Sequence, residues 1–168
     1  MVHGMGAVRR TALALKQEAG RIPLPPGQVL GLVIDAVLQR RYPTPPLPAR
    51  GLRRALGTCI AVTGAGITVW AVVERRRHTT GSFVLGHPEE LVTTGPYAAS
   101  RHPMYLGWWL IHSGVALSGG SASALATLPA GILVEHMGAL WEEKVLLKEF
   151  GQSYADYSAR VPRYFGIR

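Results

Sequence analysis

Two short polar blocks hold most of the residues in this chain whose types and spacing suit chemistry. The first runs Gly95-Pro96-Tyr97, then Arg101-His102-Pro103-Met104-Tyr105-Leu106-Gly107; the second opens on Glu142-Glu143 and continues through Phe150-Gly151, Tyr154 and Tyr157 to Val161-Pro162-Arg163. In the first block Pro103 has the fixed φ and missing donor that suit the first position of a helix, which places His102 at a helix N-terminus. Free backbone donors and the positive end of the helix dipole attract a carboxylate there. His102 and Tyr105, about one turn apart, add ring nitrogens and a phenol. In the second block, adjacent acids in a partly dry site would hold an ammonium, a ribose diol or a sulfonium charge. Each block alone also has a plainer explanation. Arg101 with Tyr105, Trp108 and Trp109 would make an interfacial cap and aromatic belt, and Glu142 and Glu143 balanced by Lys144 and Lys148 would make a solvated turn.

The elements that must position these blocks are apolar helices. The chain has 168 residues, 48% hydrophobic and only 17% charged, and its apolar residues are concentrated in runs. Residues 55–73 carry no charge and lie between Arg53-Arg54 and Glu74-Arg75-Arg76-Arg77, long enough at about 1.5 Å per residue to cross a hydrocarbon core of about 30 Å. From Met104 to Trp141 only Glu135 carries a formal charge. The small-residue centre Ser118-Gly119-Gly120-Ser121-Ala122-Ser123 is a turn signal, so this stretch reads as two antiparallel spans, 104–118 and 122–141. Gly114, Gly119, Gly120, Gly131 and Gly138 are expected to permit close helix contact. Residues 22–38, opened by Pro23, Pro25 and Pro26 and holding Asp35, form a weaker first segment that crosses or lies at the interface. The prolines that follow, from Pro43 to Pro48, make a stiff connector. Leu146, Leu147, Phe150, Tyr154 and Tyr157 recur at helical spacing, predicting an amphipathic interfacial helix over 142–160 that Gly151 interrupts or caps. Residues 1–21 lack the apolar core of a signal peptide and read as a tail. The expected architecture is all-α: an integral membrane bundle of about four spans forming one domain over 22–168.

Arg and Lys flank the spans unevenly. The hairpin turn has none, whereas Arg75, Arg76, Arg77 and Arg101 precede it and Lys144, Lys148, Arg160, Arg163 and Arg168 follow it. Both blocks are therefore expected to face the cytoplasm from a cell membrane. Arg40, Arg41, Arg50, Arg53 and Arg54 run against that rule if the first segment crosses. A net charge of +8 raises nucleic-acid binding, but the basic residues border apolar runs, where anionic headgroups are the nearer partner. The six histidines show no metal-ligand spacing, and Cys59 stands alone inside a span, so neither a metal site nor thiol chemistry is expected. His112 reads as a histidine bonded across the bundle. Glu135 and His136 need a polar cavity or a partner, and Glu135 lies on the same face as Glu142.

Taken together and in this order, the blocks resemble the isoprenylcysteine carboxyl methyltransferase family and its bacterial relatives, within a wider group that includes phospholipid methyltransferases. The likeness covers Leu91-Val92-Thr93-Thr94-Gly95-Pro96-Tyr97, the run from Arg101 to Gly107 and the tail from Glu142 to Arg163. It implies a small helical membrane enzyme using S-adenosylmethionine, wrapped by Leu91, Val92, Tyr97, His102, Pro103, Met104 and Tyr105 and closed by Glu142 and Glu143. The acceptor would be a lipophilic small molecule or a lipid-linked substrate reached from the bilayer, with membrane lipids as surroundings and no obligate protein partner. Arg101 and His102 are the candidate catalytic residues. Methyl transfer to a carboxylate or thiolate needs no strong base, whereas an amine or neutral thiol needs one such as His102, Glu135 or His136. Where eukaryotic members are expected to carry an Arg one helical turn before Glu142, this chain has Gly138. Rival readings are a sterol-reductase-like enzyme using a reduced nicotinamide dinucleotide, which shares the C-terminal aromatic pattern, and a silent membrane scaffold. Glu142→Gln is expected to weaken S-adenosylmethionine binding strongly, and Arg75→Gln to leave it nearly intact.

Overall fold

The computed structural model describes residues 26–42, 46–79 and 90–166. The tail 1–21, the start of the first segment at 22–25 and prolines 43 and 45 of the connector lie outside the described residues. Regular structure among the described residues is entirely helical: α1 (Pro26–Arg41), α2 (Arg50–Arg77), a 3-10 turn (Gly95–Ala98), α3 (Pro103–Gly119), α4 (Ala122–Phe150) and α5 (Gln152–Arg160). α2 and α4, at 28 and 29 residues, are each long and apolar enough to cross a membrane, and only 22% of the most apolar stretch in either is buried within the protein. Val62, Val69, Trp70, Leu133, Val134 and Met137 point outward. A surface this apolar is stable against lipid rather than water.

Small residues bring α2 and α3 together. Gly57, Gly64 and Thr68 on α2 meet Gly107, Gly114 and Ser118 on α3. A Cβ at Gly64 would stand 2.5 Å from the Gly107 carbonyl oxygen, and one at Gly57 would stand 2.5 Å from the Ser118 nitrogen. Both rows have the same spacing of seven and then four, so one face of each helix stays on the seam. α3 packs more extensively on α2 than on α4, and α4 packs most extensively on α1. Gly114 and Gly131 are in tight contacts as expected. Gly119 has nothing within 4 Å, and Gly120 serves the turn, with φ of 77°.

α1 runs antiparallel to the first half of α4. Gly27 faces Gly131, Gly31 lies against His112 and Thr127, and Asp35 accepts hydrogen bonds from Ser121 (2.7 Å) and Ser123 (2.5 Å). The fully buried Gln28 fastens α1 inside the bundle. Its side chain bonds His112 Nδ1 and donates to Glu135 at 3.3 Å, its amide donates to Glu135 at 3.2 Å, and Trp109 donates to the same carboxylate. His112 also reaches the Ala124 carbonyl at 3.0 Å. His112 is thus the cross-bundle histidine expected, and Glu135 finds its partners within the core.

One boundary differs from expectation. The last span and the interfacial helix do not part at residue 142: α4 continues unbroken to Phe150 because nothing between Trp141 and Phe150 breaks a helix, and Glu, Lys and Leu all favour one. The break falls at Gly151, as expected, whose φ of 53° is unfavourable for other residues, so the separate interfacial helix is only α5. At the far end, Arg53 donates to the last carbonyls of α3, Leu117 (2.7 Å) and Ser118 (2.8 Å), and is 7% exposed. One of the arginines that ran against the charge rule is therefore a helix cap.

Candidate functional site

The ends of α2 and α4, the start of α3 and all of α5 meet at one end of the bundle, which brings the two blocks together. The last turns of α2 supply the base. Glu74, 8% exposed, accepts from Thr94 Oγ1 at 2.6 Å, and His78 reaches Thr94 Oγ1 at 3.2 Å and Glu90 at 3.3 Å. Gly95 turns over Glu74 with φ of 57°, where a Cβ would approach the carboxyl carbon to 2.9 Å. The segment leading into the 3-10 turn is thereby held on α2, and Val92 and Tyr97 pack with Ala71 and Met104 in a small apolar core.

His102 caps α3 and Pro103 occupies the first helical turn, as the sequence suggests. The His102 ring, 5% exposed, stacks on Tyr105 with centroids 5.4 Å apart, and places Nε2 3.1 Å from Glu143 and Nδ1 3.7 Å from Glu142. The adjacent acids have different environments. Glu143 takes two hydrogen bonds from Arg163, both 2.8 Å, and has Arg101 at 3.2 Å. Glu142 has the Tyr105 hydroxyl at 3.4 Å and the more distant His102. One carboxylate is committed to the protein, and the other keeps acceptor capacity.

The C-terminal segment locks the first block in place. The amides of Arg101 and His102 donate to the carbonyls of Pro162 (3.0 Å) and Arg163 (3.2 Å), Ser100 Oγ donates to Arg163 (3.0 Å), and Tyr157 donates to the Tyr97 carbonyl (2.7 Å). Tyr164 packs on Trp109, with centroids 4.7 Å apart, and meets His136 Nδ1 at 3.1 Å. Hydrogen bonding to Glu143 holds the Arg163 guanidinium above its ordinary value. Burial pushes the Tyr97 phenol up to about 12, against the opposing influence of Arg75.

These elements border a cleft lined by Arg75, Glu90, Leu91, Val92, Tyr97, Arg101, Glu142, Leu146, Tyr154 and Tyr157. Of the residues singled out in the sequence, Leu91, Val92, Tyr97, Arg101 and Glu142 border it directly. His102 and Tyr105 adjoin it through Glu142, whereas Met104 packs behind Val92 and Tyr97, Pro103 is buried in the first turn of α3 and Glu143 is turned toward Arg163. Glu74 and Arg75 were missed as site residues. The expectation that Arg75 is dispensable does not fit its place: it is 6% exposed and lines the cleft. The available signal was that Glu74-Arg75 ends a span at the same membrane face as the two blocks, one turn before His78.

Architecture and site together define an integral membrane protein with a cleft that carries charges of both signs at one end of an apolar helical bundle. Residues 52–153 match the family model described as phospholipid methyltransferase, and the chain belongs to that family. Among curated relatives it is 33% identical over 122 residues to a protein-S-isoprenylcysteine O-methyltransferase of Rattus norvegicus, covering 69% of this chain and 40% of that one. It is 32% identical over 108 residues to protein-S-isoprenylcysteine O-methyltransferase B of Arabidopsis thaliana, covering 62% and 49%. Its fold superposes on the solved structure of the eukaryotic intramembrane Ras methyltransferase with a TM-score of 0.60 and 25% identity, over 80% of this chain and 49% of the other. The chain thus spans half or less of the length of these relatives.

Proposed function

We propose that this protein is an S-adenosylmethionine-dependent membrane methyltransferase acting on a lipophilic acceptor, with its cleft facing the cytoplasm. The observation that carries the reading is Glu142: a carboxylate with acceptor capacity to spare, beside His102 and Tyr105, on the wall of a cleft that also presents Arg75, Arg101 and a row of tyrosines. That donor set fits the cofactor, which has a zwitterionic amino-acid end, a ribose diol and an aromatic base. Glu142 would bind the ammonium or the diol, and the cleft-facing Leu91, Val92, Tyr97, Tyr154 and Tyr157 would enclose the rest. Glu143 would act as a positioning residue, orienting His102 and Arg101.

When bound, S-adenosylmethionine supplies a methyl group already activated by its sulfonium charge. The protein's own part is alignment and exclusion of water. His102 and Tyr105 would shape the meeting point of cleft and bilayer, with the His102 ring nitrogens, which face Glu143 and Glu142, orienting the two acids. A carboxylate, thiol or amine on a lipophilic body, isoprenylcysteine-type molecules included, would reach that point from the lipid side.

Calorimetric titration of the detergent-purified protein with S-adenosylhomocysteine, alongside reduced nicotinamide adenine dinucleotide phosphate, tests the cofactor. Saturable binding of the homocysteine compound alone is expected. Binding of the dinucleotide alone would place the protein among reductases, and binding of neither by folded protein would make it a scaffold. For orientation, a Lys148→Cys variant in a Cys59→Ser background is expected to react with a membrane-impermeant maleimide in inverted vesicles and to stay unlabelled in intact cells. The opposite pattern refutes the cytoplasmic placement.

A further inference from the structure

The end of the bundle away from the cleft is basic. Residues 26–73 hold one acid, Asp35, against five arginines, and no acid lies between Arg101 and Glu135. Asp35 itself accepts from Ser121 and Ser123. At the start of α2, Arg53 turns inward to cap α3, whereas its neighbour Arg54 is exposed and heads an open groove between α2 and α3. Arg54 and Thr58 of α2 stand beside Ser118 of α3 at one end of this groove, and Ala61 and Val62 stand beside Val115 at the other. The levels match because Gly57 meets Ser118 while Gly114 meets Ala61. The hydroxyls of Thr58 and Ser118 are 3.4 Å apart, and Ser118 Oγ is 3.4 Å from the Arg54 carbonyl oxygen. Both distances are long for hydroxyl hydrogen bonds, so either hydroxyl gains by turning to a stronger acceptor. Arg54 directly precedes the uncharged run 55–73, at the level where hydrocarbon gives way to headgroups. Ala61 lies about 10 Å deeper, at about 1.5 Å per residue, and Val62 and Val115 face outward.

We propose that this groove binds an anionic glycerophospholipid, its phosphodiester on Arg54, Thr58 and Ser118 and one acyl chain along Ala61, Val62 and Val115. The groove has the polarity of such a molecule, cationic and hydroxyl-bearing at the membrane surface and apolar toward the bilayer centre. A guanidinium meets a phosphate through two parallel hydrogen bonds, and no acid on the groove walls opposes the headgroup. The site lies at the opposite end of the bundle from the cleft and does not depend on what the cleft binds. It also gives the two adjacent arginines that run against the charge rule separate tasks: Arg53 satisfies carbonyls of the protein, and Arg54 holds a lipid.

The test separates headgroup from chain. Full-length protein, freed of co-purifying lipid by detergent exchange, is titrated with dioleoyl phosphatidylglycerol and with dioleoylglycerol, which lacks the phosphate, and bound lipid is counted by native mass spectrometry. Wild-type protein is expected to retain one phosphatidylglycerol in preference to dioleoylglycerol. Arg54→Gln is expected to weaken phosphatidylglycerol on the order of tenfold, as for loss of a charge-assisted pair, and to change dioleoylglycerol by less than about twofold. Val115→Trp, which fills the apolar end and leaves Arg54 in place, is expected to weaken phosphatidylglycerol as well. Arg50→Gln, at the same end of α2 but outside the groove, is expected to have less than about a twofold effect. Equal losses from Arg54→Gln and Arg50→Gln overturn the proposal and show a diffuse attraction of charge. Phosphatidylglycerol binding that Val115→Trp leaves unchanged overturns it too, since the headgroup would then be held without the groove. Wild-type protein that retains no phosphatidylglycerol, or binds dioleoylglycerol equally well, refutes it outright.

Discussion

Glu143 and Arg163 form a two-pronged pair, Nε to Oε1 and Nη2 to Oε2, each 2.8 Å, that joins the end of the longest helix to the segment following the last one. The pair leaves its neighbour Glu142 as the acid with acceptor capacity facing the cleft, although the two are adjacent in sequence and identical in type.

This asymmetry predicts different failures for the two acids. Glu142→Gln is expected to keep the melting temperature of the detergent-solubilised protein and weaken S-adenosylhomocysteine at least about tenfold, the loss of a charge-assisted bond. Glu143→Gln leaves Arg163 and Arg101 without their counter-ion and is expected to cost about 3 kcal/mol of stability. Thermal melts beside titrations check both, and indistinguishable variants would show that the acids act as one unit.

Packing between α2 and α3 predicts the most damaging glycine change. Gly107→Leu would drive a side chain into Thr68 and the α2 backbone, overpacking expected to cost about 3 kcal/mol or more. Gly119→Ala, in open space, is expected to stay within about 0.5 kcal/mol. A stable Gly107→Leu protein would mean that the α2–α3 seam is looser than described.

Arg53→Gln removes the cap on the Leu117 and Ser118 carbonyls at the end of the bundle away from the cleft. Stability is expected to fall by about 1–2 kcal/mol while S-adenosylhomocysteine affinity stays unchanged. A loss of affinity would reveal coupling between the two ends.

Gly95→Ala combines a positive φ with a Cβ 2.9 Å from the Glu74 carboxyl carbon. The left-handed strain alone costs about 1 kcal/mol, and relief requires the 3-10 turn to lift off α2. Weaker ligand binding and faster hydrogen exchange at Val92, Tyr97 and their neighbours are the expected readouts. An Ala variant with wild-type exchange would show that the turn accommodates a side chain.

By itself the sequence determined the helical class, the apolar runs, the turn at Gly119-Gly120, the cap at His102-Pro103 and the two chemical blocks. These are legible because hydropathy, glycine and proline act locally, through the backbone of the residues that carry them. It marked the break at Gly151 but did not show that the last span runs on to it as one helix, since Trp141 to Phe150 leaves the apolar run while remaining good helix. Only the tertiary structure decided that Glu143 is committed and Glu142 is not, that Arg53 caps a distant helix, that Gln28 fastens α1 to Glu135 and His112, and that Arg75 rather than Arg76 or Arg77 borders the cleft. Each of those outcomes depends on which helix face meets which neighbour. In a run such as Glu74-Arg75-Arg76-Arg77, successive residues point about 100° apart, so identical side chains receive different surroundings from helix rotation, a quantity set by the packing of Gly64 on Gly107 far along the chain.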